Sequence, residues 1–191
     1  MIAAAVNQIA RELNQSLRSR LTLDDNLAVV SGVNGIDGAP APQAAEKLLV
    51  FLVNIERDPG SARVGRFSAA HDGRIAAAPP PVNLNLMVMV AANFGGNHYP
   101  EALKLISHTL ELFQARPVID HARAPDLDPR IERLVLELED LSVTDLSNLW
   151  GVIGGHYLPS VLYRVRMITI DSRSLTAQLP AVQRPMVGVG A

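Results

Sequence analysis

The histidines are the side chains best suited to bind a metal or transfer a proton, and their spacing favours neither role. They are His71, His98, His108, His121 and His156, and no two lie three or four residues apart. A helical pair of zinc ligands needs that spacing, and the chain has no cysteine to supply thiolate ligands. A site assembled from distant segments stays open, but the sequence predicts no metal and no cofactor.

Glycine and aspartate pairs could mark a phosphate site or an acid/base pair, yet their surroundings do not fit. The glycine pairs at 95–96 and 154–155 lack the flanking residues of a phosphate-binding or dinucleotide-binding loop. The aspartate pairs at 24–25 and 126–128 lie in turn-like sequence, where aspartate favours turns and caps. There is no G-x-S-x-G motif of a serine hydrolase. The chain is therefore predicted not to be an enzyme.

Charged residues recur at two-residue spacing on two predicted strands. Glu137 and Glu139 share one face of the first strand, and Arg164 and Arg166 share one face of the second. If the strands are antiparallel neighbours, the charges face each other, which contributes roughly 0.2–1 kcal/mol per pair. Otherwise each pair is a charged patch available to another subunit. Both interpretations stay open.

A basic segment at 57–81 has no usable hydrophobic period and is predicted to be irregular. Its arginines outnumber its two aspartates, so it is either a flexible loop that meets an acidic neighbour or the solvated tip of a hairpin. Proline and glycine in residues 176–191 predict an extended C-terminal tail. Combining these segments with the charged strands, we predict a protein interface at Arg57, Arg63, Arg66, Arg74, Glu137, Glu139, Arg164, Arg166, Gln183 and Arg184.

Hydrophobic periodicity defines the elements that position these residues. Three-and-four spacing predicts helices over 2–19, about 100–114 and 142–153. Alternating or continuous apolar runs predict strands over 27–31, 48–55, 82–92, 117–120, 134–139 and 161–170. The predicted fold is α/β (α+β): a single domain over 1–175 with a mixed, mainly antiparallel sheet flanked by about three helices.

The totals exclude several classes of protein. A net charge of −2 gives no general reason to bind nucleic acid or an anionic membrane. The longest apolar runs are far shorter than the roughly 20 residues that span a bilayer. The N-terminus lacks the basic region of a signal peptide, and the absence of cysteine suits a cytosolic protein.

The order of these elements resembles the sheath-terminator (cap) proteins of extracellular contractile injection systems, of the antifeeding-prophage and virulence-cassette type. The likeness covers residues 1–175 and is carried by Pro80–Leu86, Leu149–Trp150 and Ser160–Val165. It implies a tail-terminator-like domain that forms a ring, typically hexameric, at the end of the inner tube distal to the baseplate. Such a ring stops polymerisation of tube and sheath and holds the last sheath ring.

The same resemblance implies the partners: further copies of the chain, inner-tube subunits and sheath subunits, with no nucleic acid and no membrane. It implies assembly in the cytoplasm, followed by incorporation into a released or anchored phage tail-like particle. Attachment to the sheath by strand addition at an exposed sheet edge is one hypothesis. A phage-tail-type terminator or connector, and a small-ligand-binding α/β domain, remain alternatives.

Overall fold

The computed structural model describes residues 1–21, 26–35, 38–39, 41–58, 66–69, 74–78, 83–154, 156–169 and 177–180. Within these residues the chain forms three α-helices: α1 (Ile2–Leu21), α2 (Tyr99–Ala115) and α3 (Val143–Ile153). The strands of the same residues are β1 (Ala28–Val30), β2 (Lys47–Arg57), β3 (Arg66–Ala69), β4 (Arg74–Ala78), β5 (Leu84–Asn93), β6 (Val118–Asp120), β7 (Ile131–Glu139), β8 (Ser160–Thr169) and β9 (Ala177–Pro180).

Six strands form one sheet in the order β1-β2-β5-β8-β7-β6. β1 runs parallel to β2, and every other neighbouring pair in this sheet is antiparallel. The mixed, mainly antiparallel sheet and the three helices confirm the predicted fold class.

A second sheet has the order β3-β4-β9. β3 and β4 lie within the segment 57–81, so the prediction that this segment is irregular was wrong at these two strands. Alanine and arginine dominate both strands, and they leave no apolar alternation for a sequence pattern to detect. β9 lies in the predicted tail and pairs with β4, while the boundary at residue 175 stays a prediction.

The helices cover the two faces of the six-stranded sheet. α1 and α2 pack on one face, where Ile9, Leu13 and Phe113 are buried against Val88 and Val165. α3 packs on the opposite face, where Trp150 is buried among residues that include Met87, Met89 and Leu162. Alternate residues of β5 and β8 serve the two faces, as the two-residue period of a strand requires.

α3 begins and ends as its sequence predicts. The Ser142 hydroxyl accepts a hydrogen bond from the Asp145 amide at 3.1 Å and donates to the Asp145 carboxylate at 2.6 Å. Gly154 ends the helix in the left-handed conformation with φ of 72°. Across the described ranges, no helix combines the length and the apolar character that crossing a membrane requires.

Candidate functional site

The predicted charges on β7 and β8 pair with each other. The register places Glu137 opposite Arg164, and the ion pairs run diagonally. Arg164 Nη2 lies 2.8 Å from Glu139 Oε1, and Arg166 Nη2 lies 3.7 Å from Glu137 Oε1. Arg166 Nε also lies 3.9 Å from Asp58 Oδ2. The in-chain pairing is therefore confirmed, and a role for these four residues in an interface stays a prediction.

The other predicted interface residues are spread over several elements. Arg57 is exposed at the end of β2, while Arg66 begins β3 and Arg74 begins β4. Arg63, Gln183 and Arg184 lie outside the described residues. The structure does not gather the described members of this set into one cluster, and their interface role also stays a prediction.

Helix α1 closes one outer edge of the six-stranded sheet. Asn14 Nδ2 donates to the Ala28 carbonyl at 2.7 Å, and the Ala28 amide donates to Asn14 Oδ1 at 2.8 Å. The hydrogen bond to β2 uses the residue before Ala28, because the Leu48 amide donates to the Leu27 carbonyl. The two Ala28 groups are those that an added strand would use, so β1 is not a free template at this residue.

The chain closes the other outer edge with Arg123. Its Nη1 donates to the carbonyls of Arg116 and Val118 at 3.1 and 3.4 Å. The Asp120 carbonyl accepts from the amides of Arg123 and Ala124. Carbonyls on the outer side of β6 are thus occupied within the chain. Strand addition remains open at the edges of the smaller sheet, where β3 and β9 each pair on one side among the described strands. It also remains open along β2 beyond Val50 and β7 beyond Leu136, which extend past their short outer neighbours.

A polar cleft of about 600 Å³ lies between α1 and α2. Arg123 Nη2 contacts Glu12 Oε2 at 2.6 Å, and the Glu12 side chain is only 6% exposed. Arg20 Nη1 lies 2.6 Å from Glu111 Oε2 and 2.9 Å from His108 Nδ1. Arg20 and Glu111 thus join α1 to α2, and Glu12 and Arg123 join α1 to the turn after β6. Charged groups that pair so closely serve packing rather than forming a free acid/base pair.

The tautomer of His108 follows from its neighbours. A guanidinium can only donate, so Nδ1 accepts from Arg20 and the proton lies on Nε2, which contacts Ser16 Oγ at 2.9 Å. Burial first, and the Arg20 charge second, lower the pKa of His108 below its usual value. The imidazole is therefore neutral near pH 7.

Two further grooves border these elements. One adjoins the polar cleft and is lined by residues of α1, among them Arg11, Gln15 and Arg18, together with Asn26. The other, of about 340 Å³, lies where α3 meets β2 and β5, and its lining is mainly apolar, with Glu56 and Asp145 among the polar residues. Within the described ranges, no group of three His, Asp or Glu side chains could hold a metal ion.

Sequence reasoning missed the residues that close the sheet edges and line the polar cleft. Asn14 bonds the backbone of Ala28 and Arg123 bonds the carbonyls of Arg116 and Val118, and hydrophobic periodicity reveals neither set of bonds. Arg11 and Arg18 did leave a signal, because their seven-residue spacing places them on one face of α1.

Comparison with known protein families identifies the family of this chain. The family model described as the Pvc16 N-terminal domain matches residues 4–184. The chain belongs to this family. No curated protein matches the chain.

Two solved structures share the fold of this Pvc16 N-terminal domain. The first is the PVC sheath/tube terminator of an extracellular contractile injection system in its extended state, with a TM-score of 0.60 and 17% identity over 95% of this chain and 63% of that chain. The second is the tube-terminating cap of the anti-feeding prophage, with a TM-score of 0.51 and 15% identity over 95% of this chain and 58% of that chain. This chain spans about three fifths of the length of these two proteins.

Proposed function

We propose that this chain is a structural cap of a contractile injection system. In this role it forms a homo-oligomeric ring, a hexamer, at the end of the inner tube distal to the baseplate. The ring ends polymerisation of tube and sheath and anchors the last sheath ring. The observation that carries the proposal is membership of the Pvc16 N-terminal domain family, together with a fold shared with two proteins named as a terminator and a cap.

The chemistry of the described residues agrees with a non-enzymatic role. The polar cleft between α1 and α2 has its buried glutamate paired with arginine and its histidine bonded to Ser16 and Arg20. Charged groups held in this way serve packing. His108 carries its proton on Nε2, the nitrogen that contacts Ser16, so the ring does not act as a base toward that hydroxyl. The proposed partners are therefore proteins: further copies of the chain, tube subunits and sheath subunits. Assembly would take place in the cytoplasm, before the particle is released or anchored.

Light scattering of the purified protein, alone and with tube and sheath subunits, tests the proposal. We expect a closed oligomer, or capture of the protein onto tube ends with particles of limited length. A monomer that is indifferent to both partners would overturn the proposal and favour the small-ligand-binding alternative.

One deletion and one replacement then locate the contacts with the sheath. One removes residues 172–191, which contain β9, and the other replaces 57–81, which contain β3 and β4. We expect loss of sheath capture in at least one of them, because the smaller sheet has outer strands that can accept an added strand. If ring formation and sheath capture survive both changes, neither segment is the contact.

A further inference from the structure

Five arginines gather around α1, on one face of the six-stranded sheet. They line two adjoining clefts that share Gln15 and Ser19, and the same linings contain only two carboxylates, Glu12 and Glu111. The five arginines, which we call the α1 basic surface, are Arg11, Arg18, Arg20, Arg116 and Arg123.

Three arginines of the α1 basic surface have no carboxylate partner in the described part of the chain. Arg11 and Arg116 are exposed and make no side-chain hydrogen bond or ion pair there. Arg18 is exposed and bonds only the neutral Asn26 Oδ1, at 2.6 Å. Guanidinium groups that are exposed and unpaired are available to carboxylates of another molecule.

The opposite face of the sheet carries an excess of the complementary charge, since its Arg164 and Arg166 are paired with Glu139 and Glu137. Glu56, Asp140 and Asp145 are exposed around α3, and no lysine or arginine occurs between Arg133 and Arg164. No described cation lies within ion-pair distance of these three carboxylates. They form what we call the α3 acidic surface.

An apolar side chain projects from the same surface. Asp145, Asn148 and Val152 recur at three- and four-residue spacing, and all three border the groove between α3 and the strands. Val152 is 86% exposed, so its apolar side chain is available to contact another molecule. Apolar residues with a charged rim are typical of surfaces that bind another protein.

We infer that the α1 basic surface of one copy docks onto the α3 acidic surface of the next copy. Both surfaces belong to one chain and lie on opposite faces of its sheet, so the contact joins two different surfaces and repeats from copy to copy. Such a heterologous contact closes into a ring when each copy is rotated relative to the last. The inference deepens the proposed ring and rests on it.

Charge reversal with complementation tests the inference. Variant A carries Arg11→Glu, Arg18→Glu and Arg116→Glu, so both of its surfaces are acidic. Variant B carries Glu56→Lys and Asp140→Lys, so its α3 surface becomes basic, while the Asp145 carboxylate still accepts from the hydroxyl of Ser142, the N-cap of α3. Sedimentation velocity and light scattering measure self-association of each variant, near 0.1 M salt, where exposed charges still interact.

We expect each variant alone to self-associate at least about tenfold more weakly than the native chain, because like charges then meet. An equimolar mixture of A and B should recover the native mass, since alternating copies bring opposite charges together at every contact. A single chain with both sets of changes should also recover it. The matched control, with lysine at positions 11, 18 and 116, keeps the charge and should associate within about threefold of the native chain. Unchanged melting temperatures would show that the exposed substitutions leave the fold intact.

The outcomes separate this inference from the proposed function. If the native chain forms rings and A and B do so equally well, the docking surfaces are elsewhere and the ring proposal stands. If A and B form rings normally but lose capture by tube or sheath, the surfaces face those partners, which overturns docking between copies. If A and B fail alone and their mixture also fails, charge complementarity does not join the two surfaces. A native chain that stays monomeric with and without tube and sheath overturns the proposed function itself.

Discussion

The amide side chain of Asn14 satisfies both backbone groups of Ala28. The two hydrogen bonds measure 2.7 and 2.8 Å and join the middle of α1 to the outer strand of the sheet. Ala28 is 3% exposed, so water does not replace these bonds easily. One side chain therefore both anchors the helix and keeps a neighbouring strand from pairing with β1.

Replacing Asn14 with Ala should destabilise the domain by about 1–3 kcal/mol, the usual cost of leaving a buried donor or acceptor unsatisfied. Urea unfolding followed by circular dichroism measures the change. Gln15→Ala on the exposed side of α1 is the matched control and should change the free energy of unfolding by less than about 0.5 kcal/mol. Equal losses in the two variants would mean that the Asn14 bonds contribute nothing measurable.

Much of the fold was visible in the sequence because its core elements are strongly periodic. Ile9 and Leu13 mark the buried face of α1, and Val161–Met167 alternate between a buried and a charged face, as in the structure. β3 and β4 form a local hairpin and were missed because they show no apolar alternation, whereas β9 was missed because its pairing with β4 is long-range. The register of Ile75 with Leu179 joins segments that are far apart in sequence, and no local pattern encodes it.

Arg123→Met should be among the more damaging changes to the ion pairs of the polar cleft. It removes the partner of Glu12, whose side chain is 6% exposed, and we expect a loss of about 3 kcal/mol because a buried charge is left unpaired. The double variant Glu12→Leu with Arg123→Met should lose less, since it removes both charges. Glu111→Gln, in a pair more than half exposed, should cost less than about 1 kcal/mol. Calorimetric unfolding would contradict this ranking if the double variant were the least stable.

The ion pair between Arg164 and Glu139 should contribute little to stability. The two side chains are 37% and 29% exposed, and the pair distance is 2.8 Å. A double-mutant cycle with Arg164→Met and Glu139→Gln should give a coupling energy of about 0.2–1 kcal/mol, as for opposite charges on neighbouring strands. A coupling energy near zero would instead favour the alternative interpretation, in which these charges bind another subunit.

The location of the α1 basic surface could not have been read from the sequence. Arg11 and Arg18 share a helix face and line one cleft, but Arg116 and Arg123 follow α2 in sequence and line the adjoining cleft only because α1 and α2 pack side by side. The ladder of Glu137, Glu139, Arg164 and Arg166 was foreseeable, because β7 and β8 both alternate and are consecutive strands. Periodicity shows which face a residue occupies, whereas packing between distant segments decides which faces meet.

Stability should fall in acid because of His108. Its pKa in the folded chain lies below 6.5, so the unfolded chain binds more protons as the pH falls, and the contribution of the neutral ring is lost below about pH 6.5. His108→Gln should flatten this loss between about pH 8 and pH 5. Arg20 and Glu111 face the ring from α1 and α2 and are unchanged in the variant.

His98 provides the control with the opposite sign. Its hydrogen bond to Glu46 raises the pKa, so its contribution is present in acid and lost as the pH rises through the folded pKa. His98→Gln should therefore make the acid loss slightly steeper. Urea midpoints of the native chain and of both variants, measured across the pH range, test these two expectations. If the midpoint of His108→Gln varied with pH as that of the native chain does, the role given to His108 would be contradicted.

Replacing glycine with alanine should change the stability of the domain in opposite directions at Gly151 and Gly154. Gly151 lies within the helix, and a Cβ there would meet no other atom within 4 Å, so Gly151→Ala should stabilise the domain by about 0.5–1 kcal/mol. At Gly154 an added Cβ would also have room, since its nearest neighbour is Asn34 Nδ2 at 3.9 Å. However, φ there is 72°, a left-handed conformation that is strained for alanine. Gly154→Ala should cost roughly 1–2 kcal/mol. Thermal unfolding of both variants measures the difference, and a stabilising Gly154→Ala would mean that α3 does not end in a left-handed residue.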